Sequence, residues 1–452
     1  MTPPSSSLPR TTVRTVMRTL GALTLPTLSC FLLAVHYLRS GDLGMVVVCL
    51  SLPGLFFLRQ AWVRPVLQVA FAAGMVAWLL TMLDLVQFRQ VVGLPWLRLA
   101  LILGSVAVVT GSGALFLETD ILRQRFSRRP EAVLVQAGAF LLTVCALLPA
   151  QAKVSFPILL VERFFPGFGV LQILGMGLYA AWIAGKLTDP ERAPLVRARL
   201  WLFFSVVFFG QLALGLAGWE QFLMTGDLHL PVPALILAGP IYRGEGVFML
   251  ILFLSTVLLV GPAWCSHLCY IGAWDHQASL RTKRPQGMSS WAFPARLGIF
   301  VLVMVTALGL RLLGAHWTWA VTLAAGFGLV GVGIMAAISR KMGVMAHCTV
   351  FCPIGLAAVG LGRLLPWRLR INQDCDACGR CARACRYGAL EPEHLANRKP
   401  GLSCTLCGDC IHRCRDNRLS YGFARLAPTA SRHLFILLIT TLHAVFLATA
   451  RI

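Results

Sequence analysis

The chain has 452 residues, 57% of them hydrophobic and only 13% charged, with a formal net charge of +22 and a mean hydropathy of +0.75. Soluble domains carry about a quarter charged residues, so this composition excludes an ordinary soluble enzyme and points to a polytopic membrane protein. The basic residues sit in loops beside apolar runs and are not interleaved with aromatics on one module, which excludes nucleic acid and leaves the lipid bilayer as their partner.

A spanning helix needs about 20 mostly apolar residues to cross a hydrocarbon core of ~30 Å. Residues 1–17 read as a mobile cytoplasmic tail whose opening stretch, 2–7, is rich in Pro and Ser. The basic stretch that follows resembles a secretory signal, but the apolar run after it is too long for such a signal, so it reads as a retained helix. Apolar runs then fall at 18–38, 43–58, 64–86, 97–117, 131–150, 168–186, 199–224, 245–263, 295–313, 317–338 and 432–449. Together they predict about eleven transmembrane helices. The run 43–58 is the shortest and carries Pro53, while 158–167 and 351–366 are shorter still and read as interfacial or re-entrant.

Charge orients these spans, because cytoplasmic loops carry the excess of Lys and Arg. Counted through eleven crossings, one side receives Arg10, Arg14 and Arg18, then Arg59 and Arg64, then Arg123, Arg125, Arg128 and Arg129. The same side receives Lys186, Arg192, Arg197 and Arg199, then Arg281, Lys283 and Arg284, and finally the segment 339–431. Loops 87–96, 151–167, 225–242 and 314–316 face the other side with little charge. The expectation is a multi-pass membrane protein with a cytoplasmic N-terminus and ferredoxin segment and a periplasmic C-terminus at Ile452. The division is 18–240 for N-terminal membrane helices, 241–371 for a membrane core, 372–431 for a soluble segment, and 432–452 for a last helix.

Two cysteine constellations carry the chemistry. The membrane core reads Trp264-Cys265-Ser266-His267-Leu268-Cys269-Tyr270-Ile271-Gly272 and again His347-Cys348-Thr349-Val350-Phe351-Cys352-Pro353-Ile354-Gly355. Both are C-x3-C-[YP]-I-G, so the halves look like repeats of one device. Cysteines four apart on a helix share a face. Cys265, Cys269, Cys348 and Cys352 are therefore a further candidate redox site, for another cluster, another metal or a dithiol couple.

The second constellation is Cys375, Cys378, Cys381 and Cys385, with its repeat at Cys404, Cys407, Cys410 and Cys414. C-x2-C-x2-C-x3-C is the bacterial ferredoxin pattern, in which the fourth cysteine of each run ligates the other run's cluster. It predicts two [4Fe–4S] clusters, one on Cys375, Cys378, Cys381 and Cys414 and the other on Cys404, Cys407, Cys410 and Cys385. Zinc sites usually show simple C-x2-C pairs, and disulfides do not suit a cytoplasmic segment. About 60 residues bury little core, so bound clusters supply the missing cohesion. The expected fold is thus an all-α polytopic membrane protein with a small, loop-rich α+β ferredoxin domain of two ligand loops, each followed by a short helix. The nearby Arg380, Arg383, Arg386, Arg413 and Arg415 are expected to raise cluster potentials.

In combination, the spans, the paired C-x3-C loops and the two cysteine runs over 245–431 resemble the NapH/NosR-type membrane-bound polyferredoxins. The resemblance implies bacterial inner-membrane electron carriage between the quinone pool or a cytoplasmic donor and a respiratory or maturation partner. It extends to the eight ferredoxin cysteines and to Cys265, Cys269, Cys348, Cys352 and Pro353. The chain departs from the family pattern at Tyr270, Arg386 and Arg415, where proline is usual, and shows no flavin-attachment domain. The expected role is an electron-transfer subunit of an oxidoreductase system, with no catalytic residue assigned. The alternative is a copper reductase or metalloenzyme maturation factor using the paired cysteines, for which loop 225–242 offers only His229 and the nearby Met224.

Several residues have plainer readings. Cys30, Cys49 and Cys145 lie in apolar spans and read as packing residues. His267 and His347 flank the pairs and read as interfacial polar residues, with a role as ligands or proton acceptors as the alternative. Trp264, Trp274, His316, Trp317 and Trp319 read as an aromatic belt. Asp84 and Glu220 are ionisable groups near span ends. The Gly-rich pieces 103–114 and 325–333 read as helix-packing faces.

Overall fold

Long apolar stretches satisfy their backbone groups only by coiling into helices when water is absent, and helices dominate the chain. The computed structural model describes residues 10–127, 132–152, 156–223, 230–287 and 291–449. Residues 2–7, Arg128, Arg129, Met224, His229 and Ile452 lie outside the described residues. Among the described residues, ten helices are long and apolar enough to cross a membrane: Thr19–Arg39, Val63–Val91, Leu97–Phe116, Val133–Gln151, Gly169–Leu187, Ala193–Leu216, Phe248–His267, Ala292–Leu312, Trp317–Met342 and Pro428–Thr449.

The expected eleventh, at 43–58, is not among them. It forms a nine-residue α-helix, Leu43–Ser51, capped by Asp42, whose carboxylate accepts from Met45 N at 3.0 Å. Pro53 then opens a 3-10 segment, Leu52–Phe57. Proline has no amide with which to continue the α ladder, and nine residues rise only about 14 Å, half of a hydrocarbon core of ~30 Å. The short apolar runs at 158–167 and 351–366 yield Leu160–Phe164 and Pro353–Gly362.

The run expected at 199–224 also shifts. Its helix begins at Ala193, with Pro194 in the first turn, a position where proline's fixed φ favours the start. Arg197 and Arg199 therefore lie inside the helix and not in a loop.

The chain divides into two compact units, Met1–Gly185 and Lys186–Ile452. In the first, Cys30, Leu33, Val63, Leu67, Phe71 and Ala107 form an apolar core. Its glycines allow close helix approach: a Cβ at Gly74 would run into Leu33, and one at Gly113 into Ser29 and Phe71. Cys30 and Cys49 are buried in this core, whereas Cys145 is exposed.

In the second unit, the helix Ala193–Leu216 packs against Trp264–His267 and Tyr270–Ser279, the helices of the first cysteine pair. The segment 372–418 is bracketed by β1 (Trp367–Ile371) and β2 (Leu419–Phe423), an antiparallel pair running from Trp367↔Phe423 to Ile371↔Leu419. Strand alternation buries Trp367, Leu369 and Ile371 and exposes Arg368 and Arg370. Trp367 Nε1 donates to Leu259 O at 2.8 Å, and Tyr421 stacks on Phe435 at 4.4 Å. The bracket is thus moored to the helices Phe248–His267 and Pro428–Thr449. The first cysteine run is followed by the short helix Pro392–Ala396, but the second is followed directly by β2 and not by a helix.

Candidate metal centre

The two C-x3-C motifs fold alike, but not as cysteines on one helix face. Trp264–His267 is a single turn that stops, and Cys269 caps the next helix, Tyr270–Ser279, with φ −76° and ψ 115°. In the other half, His347–Phe351 is a π-turn closed by Cys352 N donating to His347 O at 2.8 Å, and Cys352 caps Pro353–Gly362 with φ −76° and ψ 117°. An N-cap position faces the open amides of the first turn. The Cys269 thiol accepts from Gly272 and Ile271, and the Cys352 thiol from Gly355 and Ile354.

This geometry explains the Ile-Gly that follows each second cysteine. A Cβ at Gly272 would stand 2.9 Å from Cys265 O, and one at Gly355 would stand 3.3 Å from Cys348 O. Glycine is what lets the carbonyl of the first cysteine in each pair lie against the next helix. Tyr270 starts its helix where Pro353 starts the other, and its ring stacks on Phe208 at 3.9 Å.

Cys265, Cys269, Cys348 and Cys352 line one cavity, together with Arg296, Tyr387, Ser403 and Thr405. Burial pushes the Cys269 thiol up to about 12 and raises Cys348 and Cys352, and neighbouring thiols add to the effect at Cys269 and Cys348. Arg296 lines the same cavity and its charge opposes the rise at Cys352, so a cationic group there favours the thiolate form that a cluster needs. Arg296, buried, aims the same loops by donating to Cys348 O at 2.7 Å and Cys352 O at 3.4 Å. Asp275, also buried, accepts from Cys348 N at 2.9 Å; burial lifts its carboxyl to about 6 against the lowering of its hydrogen bonds. The donor set and its support fit a thiolate-ligated cluster. Among the described residues, no three His, Cys, Asp or Glu side chains close around a point as they would for a single ion.

The two ferredoxin-type runs also repeat each other. Before the second cysteine stand left-handed Ala377 (φ 53°) and Leu406 (φ 57°), and after it Gly379 (φ 72°) and Gly408 (φ 83°). Three residues past the fourth cysteine stand left-handed Gly388 (φ 61°) and Asn417 (φ 52°). Cys385 Sγ accepts from Ala389 N at 3.3 Å, and Cys414 Sγ accepts from Arg418 N at 3.2 Å. Arg386 and Arg415 follow the fourth cysteine in the two matching loops. The thiol of Cys381 has Cys375 and Cys414 as its electrostatic neighbours. That of Cys410 has Cys407, Cys385 and Cys404. Cys378 is exposed.

The paired-cysteine cavity adjoins the second run. Ser266 Oγ donates to Thr405 O at 3.0 Å. Arg197 is buried and grips both Asp409 oxygens, at 3.0 and 2.6 Å. These four residues, with Asp275 and Arg296, were not singled out in the sequence. Arg386 donates to the carbonyls of Ser279, Thr282 and Gly343. His267 is buried with Nδ1 at 3.0 Å from Ser266 Oγ, and His347 is buried against Gly331 and Phe351. Trp264 is buried on Phe253 and is no belt residue, whereas Trp274, Trp317 and Trp319 are exposed. Asp84 and Glu220 are exposed as well. A largely apolar cavity lined by Phe208, Gln211, Phe253, Trp264, Leu268 and Tyr270 lies beside the first cysteine pair.

Residues 243–285 and 324–372 match the family described as a 4Fe-4S binding domain. No curated protein and no solved structure matches the chain. The matched residues hold Cys265, Cys269, Cys348 and Cys352, and the two ferredoxin-type runs lie beyond them. The family match supports an iron–sulfur, ferredoxin-like protein with an electron-transfer role, and ten apolar helices mark a membrane protein.

Proposed function

We propose that the chain is a multi-pass inner-membrane electron carrier with three [4Fe–4S] clusters in a row. Cys375, Cys378, Cys381 and Cys414 hold the first, Cys404, Cys407, Cys410 and Cys385 the second, and the paired cysteines Cys265, Cys269, Cys348 and Cys352 the third. The observation that carries this reading is the coincidence of the 4Fe-4S family match with the two C-x3-C loops whose thiols line one cavity against Thr405. Bound clusters supply one-electron redox chemistry. The chain holds the second thiolate of each membrane pair, Cys269 and Cys352, at a helix N-cap and sets that site beside the second run.

The outer end of the row meets a soluble donor or redox partner protein through the exposed Cys378 loop. Its inner end exchanges electrons with the quinone pool at the membrane side, where an apolar pocket of about 60 Å³ that includes Gln211 lies beside Cys265 and Cys269 and would have to widen to admit a quinol ring. The basic loops at Arg59, Arg64, Arg123, Arg125, Arg281, Lys283 and Arg284 put the ferredoxin segment in the cytoplasm. If only the ten long helices cross, the N-terminus with Arg10, Arg14 and Arg18 falls on the opposite side together with the C-terminus, and a crossing at 43–58 would return it to the cytoplasm.

The reading is tested with protein in vesicles, where a reduced short-chain quinone is added and cluster absorbance is followed. Wild-type clusters bleach; Cys265→Ser and Cys348→Ser retain bleaching by dithionite and lose bleaching by quinol. Full quinol reduction in both variants contradicts it.

A further inference from the structure

Burying a guanidinium costs several kcal/mol, and an apolar pair of similar volume often stabilises a fold as well or better. Arg197 is nevertheless 4% exposed, in the first turns of Ala193–Leu216. Its Nε and Nη2 hold Asp409, its Nη1 donates to Ser266 O at 3.0 Å, and its Nη2 lies 3.3 Å from His276 Nε2. Ser266 lies between Cys265 and Cys269, and Asp409 between Cys407 and Cys410. One positive charge therefore touches the ligand loops of two sites at once. Burial, with Arg197 and Arg386, pushes the His276 imidazole down to about 3. His276 is thus neutral, accepts from Arg197 at Nε2 and adds no second cation. Anchoring alone does not call for this charge, because Trp367, Tyr421 and the two strands already moor the segment.

We infer that Arg197 is a positioning residue for electron exchange between the second-run site and the paired-cysteine site, its charge stabilising the electron on either side and Asp409 setting by how much. The inference rests on the three-cluster reading. In the step, one cluster is oxidised by one electron as the other is reduced, and no bond or proton changes hands. The cation would favour the reduced state at each loop it touches, and the carboxylate of Asp409 paired with it would oppose this at the second run, so removing either partner unbalances the pair in opposite directions. Electron exchange between the two sites would then be less uphill than without this charge.

The test uses the full chain, purified anaerobically with its clusters, in redox-titrated EPR with iron content as a control. The signal followed is the one lost in Cys407→Ser. Arg197→Gln moves its reduction equilibrium at least tenfold towards the oxidised form, about 59 mV for a one-electron couple. Asp409→Asn moves it the opposite way, and Arg197→Lys stays nearer wild type than Arg197→Gln. Shifts of the same sign in Arg197→Gln and Asp409→Asn, or no shift with iron content intact, overturn the inference. If Arg197→Gln fails to retain iron, the upward shift of Asp409→Asn decides alone, and its absence is fatal. A wild-type iron count that Cys265→Ser leaves unchanged defeats the three-cluster reading itself, a failure distinct from the loss of opposite signs.

Discussion

Gly379 and Gly408 occupy the same position in their two runs, both left-handed, at φ +72° and +83°. Alanine at either position meets the steric penalty of the left-handed region, about 1–2 kcal/mol. Part of this is offset by a less free unfolded chain, about 0.4–1 kcal/mol. At Gly379 an added Cβ meets nothing within 4 Å, so the net cost of Gly379→Ala is about 1 kcal/mol. At Gly408 the added Cβ falls onto Tyr421 Oη, the hydroxyl that donates to Leu406 O at 3.2 Å. Overpacking there adds about 1–3 kcal/mol, and the broken hydrogen bond about 1 kcal/mol more. Gly408→Ala therefore costs about 3–5 kcal/mol. The assay is anaerobic thermal bleaching of cluster absorbance, where Gly408→Ala bleaches at a clearly lower temperature than Gly379→Ala. Equal shifts in the two variants would refute the packing argument, because the backbone strain they share would then be the whole effect.

Crossed ligation predicts that Cys385→Ser damages the cluster on Cys404, Cys407 and Cys410, and that Cys414→Ser damages the one on Cys375, Cys378 and Cys381; EPR of each variant decides. Trp367→Ala removes a ring that is 1% exposed and costs about 3–5 kcal/mol, whereas Trp367→Phe chiefly removes the bond to Leu259 and costs about 1 kcal/mol. Limited proteolysis of the cysteine-rich segment orders the two variants. Reporter fusions at the N-terminus and after Arg370 report opposite sides if ten helices cross, and the same side if 43–58 crosses too.

The membrane helices were legible because hydropathy over about 20 residues is a local property. The exception, 43–58, turned on the proline that ends α-geometry and on a length short of the core. The cysteine runs were legible because ligand spacing is itself local. The device at Cys265, Cys269, Cys348 and Cys352 was half legible. Repetition gave the four residues, but the sequence suggested a shared helix face, whereas each second cysteine begins a new helix as its cap. Arg197 was hidden among loop arginines, since the positive-inside rule accounts for any basic residue near a span end. Only the early start of its helix at Pro194 betrays it. Asp275 and Arg296 carry no sequence signal, because what singles them out is burial against the backbone of another segment.

The central claim is that the paired cysteines hold a third four-iron cluster. Iron and acid-labile sulfide are counted in anaerobically purified protein, with Cys265→Ser and Cys348→Ser alongside. The account predicts about twelve irons in the wild type, four for each of three clusters, and about eight in either variant. About eight in all three proteins would contradict it.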